Sequence, residues 1–285
     1  YGNGGPKREQ IWKQSSKNFN VADVTTETDG NKTILTANYL LAAGNLYIMK
    51  YTIYPDGMVH ADITFTSTDM KAASTEVSEA TLMATFTPGQ DAQRLASSKL
   101  NVPRIGVRFR LPANMNQVTY FGRGPEENYI DRNNGTLVGL YKNTADAMYF
   151  PYVRPQENGH HTDTRWLTLS RKGGKGLTIY ADKTIGFNAL RNSVEDFDGE
   201  EATHRDYQWQ NRNEEERKHD VATARNIKPR QTHINDITPR NFVEVCIDMK
   251  QMGVGGYDSW GAIPDPQYLI PANQEYKWGF TIVPQ

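Results

Sequence analysis

Apolar and polar residues alternate along several short segments of the chain, which is the pattern of strands with one buried face. The clearest segment is 104–111, where Ile105, Val107, Phe109 and Leu111 fall on one face and the intervening residues are arginines and a glycine. We expect the apolar face to lie in the core. The other face is expected to meet solvent or a ligand.

Segments rich in β-branched and aromatic residues predict further strands. Residues 46–54 and 58–67 flank Pro55-Asp56-Gly57, a short sequence typical of a hairpin turn. A second hairpin is predicted around Lys172-Gly-Gly-Lys175, between 166–170 and 177–180. The other strand candidates are 33–41, 187–191, 242–249 and 276–283. Residues 68–99 fit either short strands or a helical turn, so they receive no assignment.

Many short strands without a sustained helical period predict an all-β fold, a large antiparallel two-sheet sandwich. The length of 285 residues suits one large domain or two ordinary ones. We expect residues 11–285 to form a single β-sandwich domain, after a linker or cloning remnant at 1–10. The polar stretch at about 193–240, with a charge run at 213–220, is predicted to be an insertion.

Composition narrows the range of partners. The chain has 32 Lys and Arg residues against 33 Asp and Glu, a net charge of -1. It therefore lacks the excess of positive charge that would attract nucleic acid or an anionic membrane. No apolar stretch is long enough to cross a bilayer, and we expect a soluble protein of the cytoplasm or periplasm. The single cysteine, Cys246, excludes an internal disulfide and is predicted to be buried. The chain begins at Tyr1 and not at methionine, which suggests a piece of a longer protein.

The segment from Met252 to Gly261 is the most unusual in composition. Gly253, Gly255 and Gly256 precede Trp260 within a few positions. Glycines allow backbone conformations and close approaches that other residues cannot make. The segment is either a loop that presents an indole to a ligand or a tight turn that buries the indole in the core.

Three motifs carry a resemblance to a known family. Gly253-Val-Gly-Gly-Tyr-Asp-Ser-Trp260 resembles a signature near the C-terminus of the large β-galactosidases of glycoside hydrolase family two. The segments from Tyr120 to Arg132 and from Pro151 to Gly159 resemble two further motifs of that family, in the same order. Weaker similarity occurs at Trp12-Lys13 and Arg104-Ile105-Gly106. The likeness covers nearly the whole chain and concerns only the last domain of those enzymes.

The resemblance implies a supersandwich similar to the galactose mutarotases, in a retaining enzyme that hydrolyses terminal β-D-galactosides such as lactose. In the family, the catalytic glutamates and the Mg and Na sites lie on an upstream barrel domain that has no counterpart here. We therefore expect no catalytic residue, metal or cofactor in this chain, and no activity of the chain alone. The implied partners are a galactoside or other carbohydrate and the catalytic barrel of the same polypeptide.

The resemblance also implies a role for Trp260, because the matching tryptophan of the family forms an apolar platform for the bound sugar. An indole is a flat apolar surface that can stack on the C–H face of a pyranose. Asp258 and Tyr257 are the other substrate-binding candidates. The common family pattern has two aspartates after Gly-Gly, so Tyr257 departs from it and could add a second aromatic surface.

The other motifs contain polar residues that form either a polar site or a structural network: Glu126, Glu127, Asn128, Asp131, Arg132, Glu157, Asn158 and His160. Side chains of this kind beside Gly-Pro turns commonly satisfy buried backbone groups, and we favour the structural role. Hydrolysis of a glycoside needs two carboxyl groups across the scissile bond. The sequence places no two carboxyl groups in that way, even with Asp163 added. His160-His161-Thr162-Asp163 lacks a third metal ligand at a recognisable spacing.

Two alternative functions stay open. A stand-alone carbohydrate-binding module would use the same Trp260 loop but bind sugar unaided. An aldose mutarotase would need a histidine and a glutamate facing each other as acid and base, and His160 or His161 with Glu157 is the pair near the motifs.

Overall fold

The computed structural model describes Trp12, Ser15 and residues 18–41, 44–67, 101–197, 233–256 and 264–285. Several predictions concern residues outside these ranges: the linker at 1–10, the unassigned stretch at 68–99, the charge run at 213–220, and Tyr257, Asp258 and Trp260.

The described residues form eleven strands, and every pair of neighbouring strands is antiparallel. Short 3-10 helices occupy Val194–Phe197, Ile234–Asp236 and Pro266–Tyr268. The strands are β1 (Asn20–Asp29), β2 (Lys32–Leu40), β3 (Leu46–Ile53), β4 (Val59–Thr66), β5 (Arg104–Pro112), β6 (Gln117–Gly124), β7 (Leu137–Thr144), β8 (His161–Ser170), β9 (Gly176–Leu190), β10 (Phe242–Gln251) and β11 (Tyr276–Pro284).

The long strand β9 joins two parts of the sheet. The main order is β1-β2-β3-β4-β11-β9-β8-β6-β7, and β10 pairs with both β9 and β5. Residues 177–181 of β9 pair with β11, whereas residues 186–190 pair with β10. The sequence predicts two short strands here, at 177–180 and 187–191, but the structure has one continuous strand.

The strand pair β5 and β10 packs against the strands of the main order, and the two layers share one core. Tyr47 in β3 donates a hydrogen bond from its hydroxyl to the Gly106 carbonyl in β5 at 3.0 Å, although β3 and β5 are not paired strands. Apolar side chains from β3, β4, β6, β8, β9 and β11 pack in one cluster with those of β5 and β10. This confirms the predicted all-β antiparallel sandwich.

The apolar face of β5 lies in the core, as its alternating sequence predicts. Ile105 is 2% exposed, and Val107, Phe109 and Leu111 pack against the core. The arginines of the opposite face pair with carboxylates, mostly of the neighbouring strand β10: Arg104 with Asp248, Arg110 with Glu244, and Arg108 with Glu244 and Glu195.

The described ends of the predicted insertion are held together. Asp196 is 5% exposed, and its carboxylate accepts a hydrogen bond from Arg240 at 3.0 Å. Cys246 is buried as predicted, and burial raises the pKa of its thiol to about 12. Within the described ranges, no helix has the length and apolar character needed to span a membrane.

Candidate functional site

The three motifs contact one another in the structure. The first, at 120–132, comprises the end of β6 and the loop that follows; the second, at 151–159, leads into β8; the third begins shortly after β10. Hydrogen bonds join the first motif to each of the other two. The result is one connected polar assembly, which we call the motif network.

Glu127 links the first motif to the second. Its Oε2 accepts a hydrogen bond from the Gly159 N–H at 2.7 Å, and its Oε1 accepts hydrogen bonds from Arg132 and the Tyr152 hydroxyl. The Glu127 side chain is only 8% exposed, so Arg132 rather than water balances most of its charge. Burial, followed by the hydrogen bond to Glu127, raises the pKa of Tyr152.

Asn128 is fully buried and uses its whole amide. Its Nδ2 donates to the carbonyls of Arg123 at 3.2 Å and Glu126 at 3.0 Å. Its Oδ1 accepts from the Thr162 N–H at 3.0 Å and the Thr162 hydroxyl at 2.6 Å. These contacts fix the loop after β6 onto the start of β8, which is the structural role that the sequence favours.

Asp131 links the first motif to the third. Its Oδ2 accepts a hydrogen bond from the Gly255 N–H at 2.7 Å. A Cβ added at Gly253 would lie 2.8 Å from the Asp131 carboxyl carbon, so glycine is required there for close approach. Asp131 Oδ1 is buried, and no residue of the described ranges hydrogen-bonds to it.

Two backbone hydrogen bonds hold the start of the glycine-rich loop. The Met252 N–H donates to the Pro103 carbonyl at 2.9 Å, and the Gly253 N–H donates to the Tyr268 carbonyl at 2.9 Å. With the bond from Gly255 to Asp131, the loop is anchored at three points within four residues. The substrate-binding candidates Tyr257, Asp258 and Trp260 follow this stem and lie outside the described residues.

Asn188 of β9 hydrogen-bonds to the second motif and to two residues outside it. Its Nδ2 donates to the Asn158 carbonyl and, at 3.2 Å, to Glu157 Oε1. Its Oδ1 accepts from Arg104 Nη2 at 2.6 Å and lies 2.9 Å from His160 Nδ1. The second motif is thereby bonded to β5 and β9.

A buried ion pair supports this part of the network. Arg104 donates from Nε to Asp248 Oδ1 at 2.8 Å and from Nη2 to Oδ2, while Asp248 is 1% exposed. Burial alone would lower the pKa of Arg104, but the charges of Asp248, Cys246 and Glu157 and the hydrogen bond to Asp248 together raise that pKa well above its ordinary value. Burial raises the pKa of Asp248, and Arg104 opposes that shift.

The two histidines beside the second motif are buried. His160 and His161 are each 1% exposed, and the His160 ring stacks on Tyr129 with centroids 5.4 Å apart. Burial, followed by the charge of Arg104, lowers the pKa of His160 to about 3. A general acid or base must reach the oxygen that it protonates or deprotonates. These buried rings therefore give the mutarotase alternative no support.

The remaining predicted site residues also have structural contacts. The Arg132 guanidinium lies 4.7 Å from the Tyr129 ring centroid. Glu126 is exposed, and its backbone carbonyl accepts a hydrogen bond from the Asn128 side chain. Of the five carboxylates considered for hydrolysis, four bond to arginine, amide or backbone groups of this chain: Glu127, Asp131, Glu157 and Asp163. These contacts give each of the four carboxylates a structural partner.

Sequence reasoning missed two parts of the network. Asp248 lies in a largely apolar strand, and a carboxylate there signals a buried cation, but nothing in the sequence identifies Arg104 as its partner. The alternate glycines at 253 and 255 signal a close approach, without showing that Asp131 makes it.

Comparison with protein families identifies the family to which the chain belongs. The family model described as Beta galactosidase small chain matches residues 2–282. The chain belongs to this family. The motif network is therefore part of a small-chain domain.

Relatives of this small-chain domain are named beta-galactosidases. The Beta-galactosidase of Priestia megaterium is 29% identical over 287 residues, an overlap that covers 99% of this chain and 22% of that protein. The Beta-galactosidase of Halalkalibacterium halodurans is 24% identical over 275 residues, which is 95% of this chain and 22% of the relative. That of Streptococcus thermophilus is 32% identical over 185 residues, 65% of this chain and 15% of the relative. The chain thus spans less than a quarter of the length of these relatives.

Proposed function

We propose that this chain is the C-terminal domain of a β-galactosidase, and that it completes a substrate pocket whose catalytic groups belong to another domain. Membership in the small-chain family supports the first part. The relatives support the second, because the chain matches only 22% of the Priestia megaterium protein, which leaves ample length for a catalytic domain.

The hydrogen bond between Asp131 and Gly255 is the observation that carries the proposal. It binds the glycine-rich loop to the motif network, although glycine-rich backbone is intrinsically the least restricted. A stem that is already ordered lowers the entropy cost of placing the following residues against a ligand. We infer that the ordered stem presents Trp260, with Asp258 and Tyr257, to the sugar.

Trp260 would act by stacking. The indole offers a flat apolar surface to the C–H face of the galactoside, and stacking on such a surface favours a sugar of the right shape. Because the motif carboxylates have structural partners within this chain, the acid/base and nucleophile would come from the catalytic domain. The isolated chain should not hydrolyse a nitrophenyl β-galactoside.

Kinetics of the full-length enzyme test this proposal. Replacing Trp260 by alanine should lower kcat/KM for nitrophenyl β-galactoside about tenfold or more, with KM carrying much of the loss if ground and transition states use the platform equally. Trp260→Phe should retain more activity because it keeps an aromatic face. The matched control is Trp166→Phe, a tryptophan of β8 outside the motifs, which should leave kcat/KM unchanged.

Two results would contradict the proposal. One is a Trp260→Ala enzyme with unchanged kcat/KM. The other is a Trp260→Ala protein that loses the roughly 3 to 5 kcal/mol of stability expected for a core aromatic, because Trp260 would then be a packing residue. Tight binding of galactoside by the isolated chain would instead favour a stand-alone carbohydrate-binding module.

A further inference from the structure

Three metal-ligating side chains converge on the sheet away from the motif network. His60 and Asp62 lie in β4, and Asp182 lies in β9, with β11 between those strands. Ala61 and Ile63, which alternate with the β4 pair, are buried in the core, so His60 and Asp62 face away from it. One ligand atom from each of the three side chains lies within 4.8 Å of the others.

Two of the separations are close to those of ligands around one small cation. His60 Nε2 lies 3.2 Å from Asp62 Oδ1 and 3.8 Å from Asp182 Oδ2. Nitrogen and oxygen ligands at about 2.0 to 2.2 Å from tetrahedral zinc are roughly 3.3 to 3.6 Å apart. Small side-chain adjustments would therefore bring all three atoms to bonding distance, and paired strands hold their backbones in place.

Neighbouring residues on β11 suit the same arrangement. Thr281, directly opposite His60 in the ladder, has its Oγ1 2.9 Å from His60 Nδ1. When Nδ1–H donates to that oxygen, Nε2 keeps its lone pair towards the carboxylates, which is the form that a metal requires. Gly279, opposite Asp62, leaves room, because an added Cβ would overlap the Asp182 carboxylate.

The charges at this position also suit a cation. Two carboxylates share one imidazole. Lys50 lies opposite Asp62 in the β3–β4 ladder, but neither its ammonium nor any other lysine or arginine nitrogen of the described ranges lies within ion-pair distance of Asp62 or Asp182. A single Nε2–H could satisfy one carboxylate only. A divalent cation would bind both and would also take the imidazole lone pair.

We propose that His60, Asp62 and Asp182 bind a divalent transition metal ion of the zinc type, with water in the remaining position. The mixed nitrogen and oxygen ligands suit Zn²⁺ or Co²⁺, whereas Mg²⁺ and Ca²⁺ prefer oxygen ligands alone. The ion would tie β4 to β9 across β11. This site is separate from the motif network and does not depend on the proposed function.

Titration of metal-depleted full-length protein tests the site. Calorimetry with Zn²⁺ should show one more bound equivalent in the wild type than in His60→Ala or Asp182→Asn, and the visible absorption of tetrahedral Co²⁺ should be lost in both variants. Thr281→Val should weaken binding about tenfold or more, because it removes the partner of Nδ1. Excess Mg²⁺ or Ca²⁺ should not displace Zn²⁺ from this position.

His233→Ala is the matched control, since His233 lies 3.5 Å from one carboxylate, that of Asp236, on a different part of the surface. It should bind as many equivalents as the wild type. Asp62→Asn supplies an additional test if His60→Ala does not fold, as judged by circular dichroism. Equal Zn²⁺ stoichiometry and affinity in the wild type and every folded ligand variant would overturn the proposal.

Discussion

At the scale of single residues, Asn128 shows how one amide can fix a motif. Its side chain is 0% exposed and bonds to two carbonyls and to both the N–H and the hydroxyl of Thr162. Asn128→Ala would leave several buried polar groups unpaired, at about 1 to 3 kcal/mol for each group that water does not reach. We expect the free energy of unfolding to fall by about 3 kcal/mol, measured by urea denaturation. The exposed neighbour Asn134, replaced by alanine, should change it by less than about 0.5 kcal/mol.

His160 predicts a pH dependence of stability. Its pKa is about 3 in the folded protein and about 6.5 when exposed in the unfolded chain. Above about pH 6.5 both states are neutral at this residue. As the pH falls from there towards 3, only the unfolded chain binds the proton, so stability falls by up to about 1.4 kcal/mol per pH unit.

Urea denaturation between pH 7 and 4.5 measures this effect. His160→Gln cannot titrate, and its unfolding free energy should depend less steeply on pH than that of the wild type, by up to one proton. Equal slopes for the two proteins would show that His160 titrates normally in the folded state. The comparison removes the contribution of His161, whose pKa burial also lowers, because His161 is present in both proteins.

The residues of the candidate site were partly predictable. The sequence favours a structural role for Asn128 and Asn158, and both side chains hydrogen-bond to backbone groups of this chain. The bond from Asp131 to Gly255 was not predictable, because 124 residues separate them and only the folded sandwich brings them together. The cluster at His60 was missed for the same reason, since Asp182 comes from a distant strand.

At the scale of elements, the hairpin between β3 and β4 depends on its turn glycine. Gly57 has φ +84°, and an added Cβ would lie 3.3 Å from Pro284 Cγ. Gly57→Ala should therefore destabilise the protein by about 1 to 2 kcal/mol. Gly135 is the control, because a Cβ there meets nothing within 4 Å and its φ lies outside the left-handed region, so alanine should be neutral or slightly stabilising. Thermal unfolding of both variants measures the contrast, and an equal shift in Tm would refute this account of the turn.

The strands that alternation predicts are those with one face in the core, such as β4 and β5, whereas β10 is buried on both faces and is recognised by its apolar run. Sequence analysis did not predict β1, β6 or β7 as strands. For β1 and β7 the reason is physical. Every residue of β1 is exposed, so no apolar face marks it. In β7, Leu137 and Leu140 are 75% and 61% exposed, which leaves its apolar residues outside the core pattern. Backbone pairing with a neighbouring strand defines both.

At the scale of the whole molecule, the three motifs form a framework that runs from the second motif through the first to the glycine-rich loop. The buried Arg104 and Asp248 pair supports one side of this framework, and the Asp131 carboxylate ends it at Gly255. This continuity predicts that a change at Asp131 acts on the substrate only through the loop.

A double-mutant cycle in the full-length enzyme tests the central claim most directly. Asp131→Ala removes the anchor at Gly255, one of the three that hold the loop, and should lower kcat/KM for nitrophenyl β-galactoside about tenfold. Asp23→Asn on the exposed strand β1 should leave kcat/KM unchanged. If Asp131 acts by positioning Trp260, its loss should cost little more once Trp260 is alanine. The account predicts that the double variant has nearly the kcat/KM of Trp260→Ala alone. Independent losses that multiply in the double variant would contradict it.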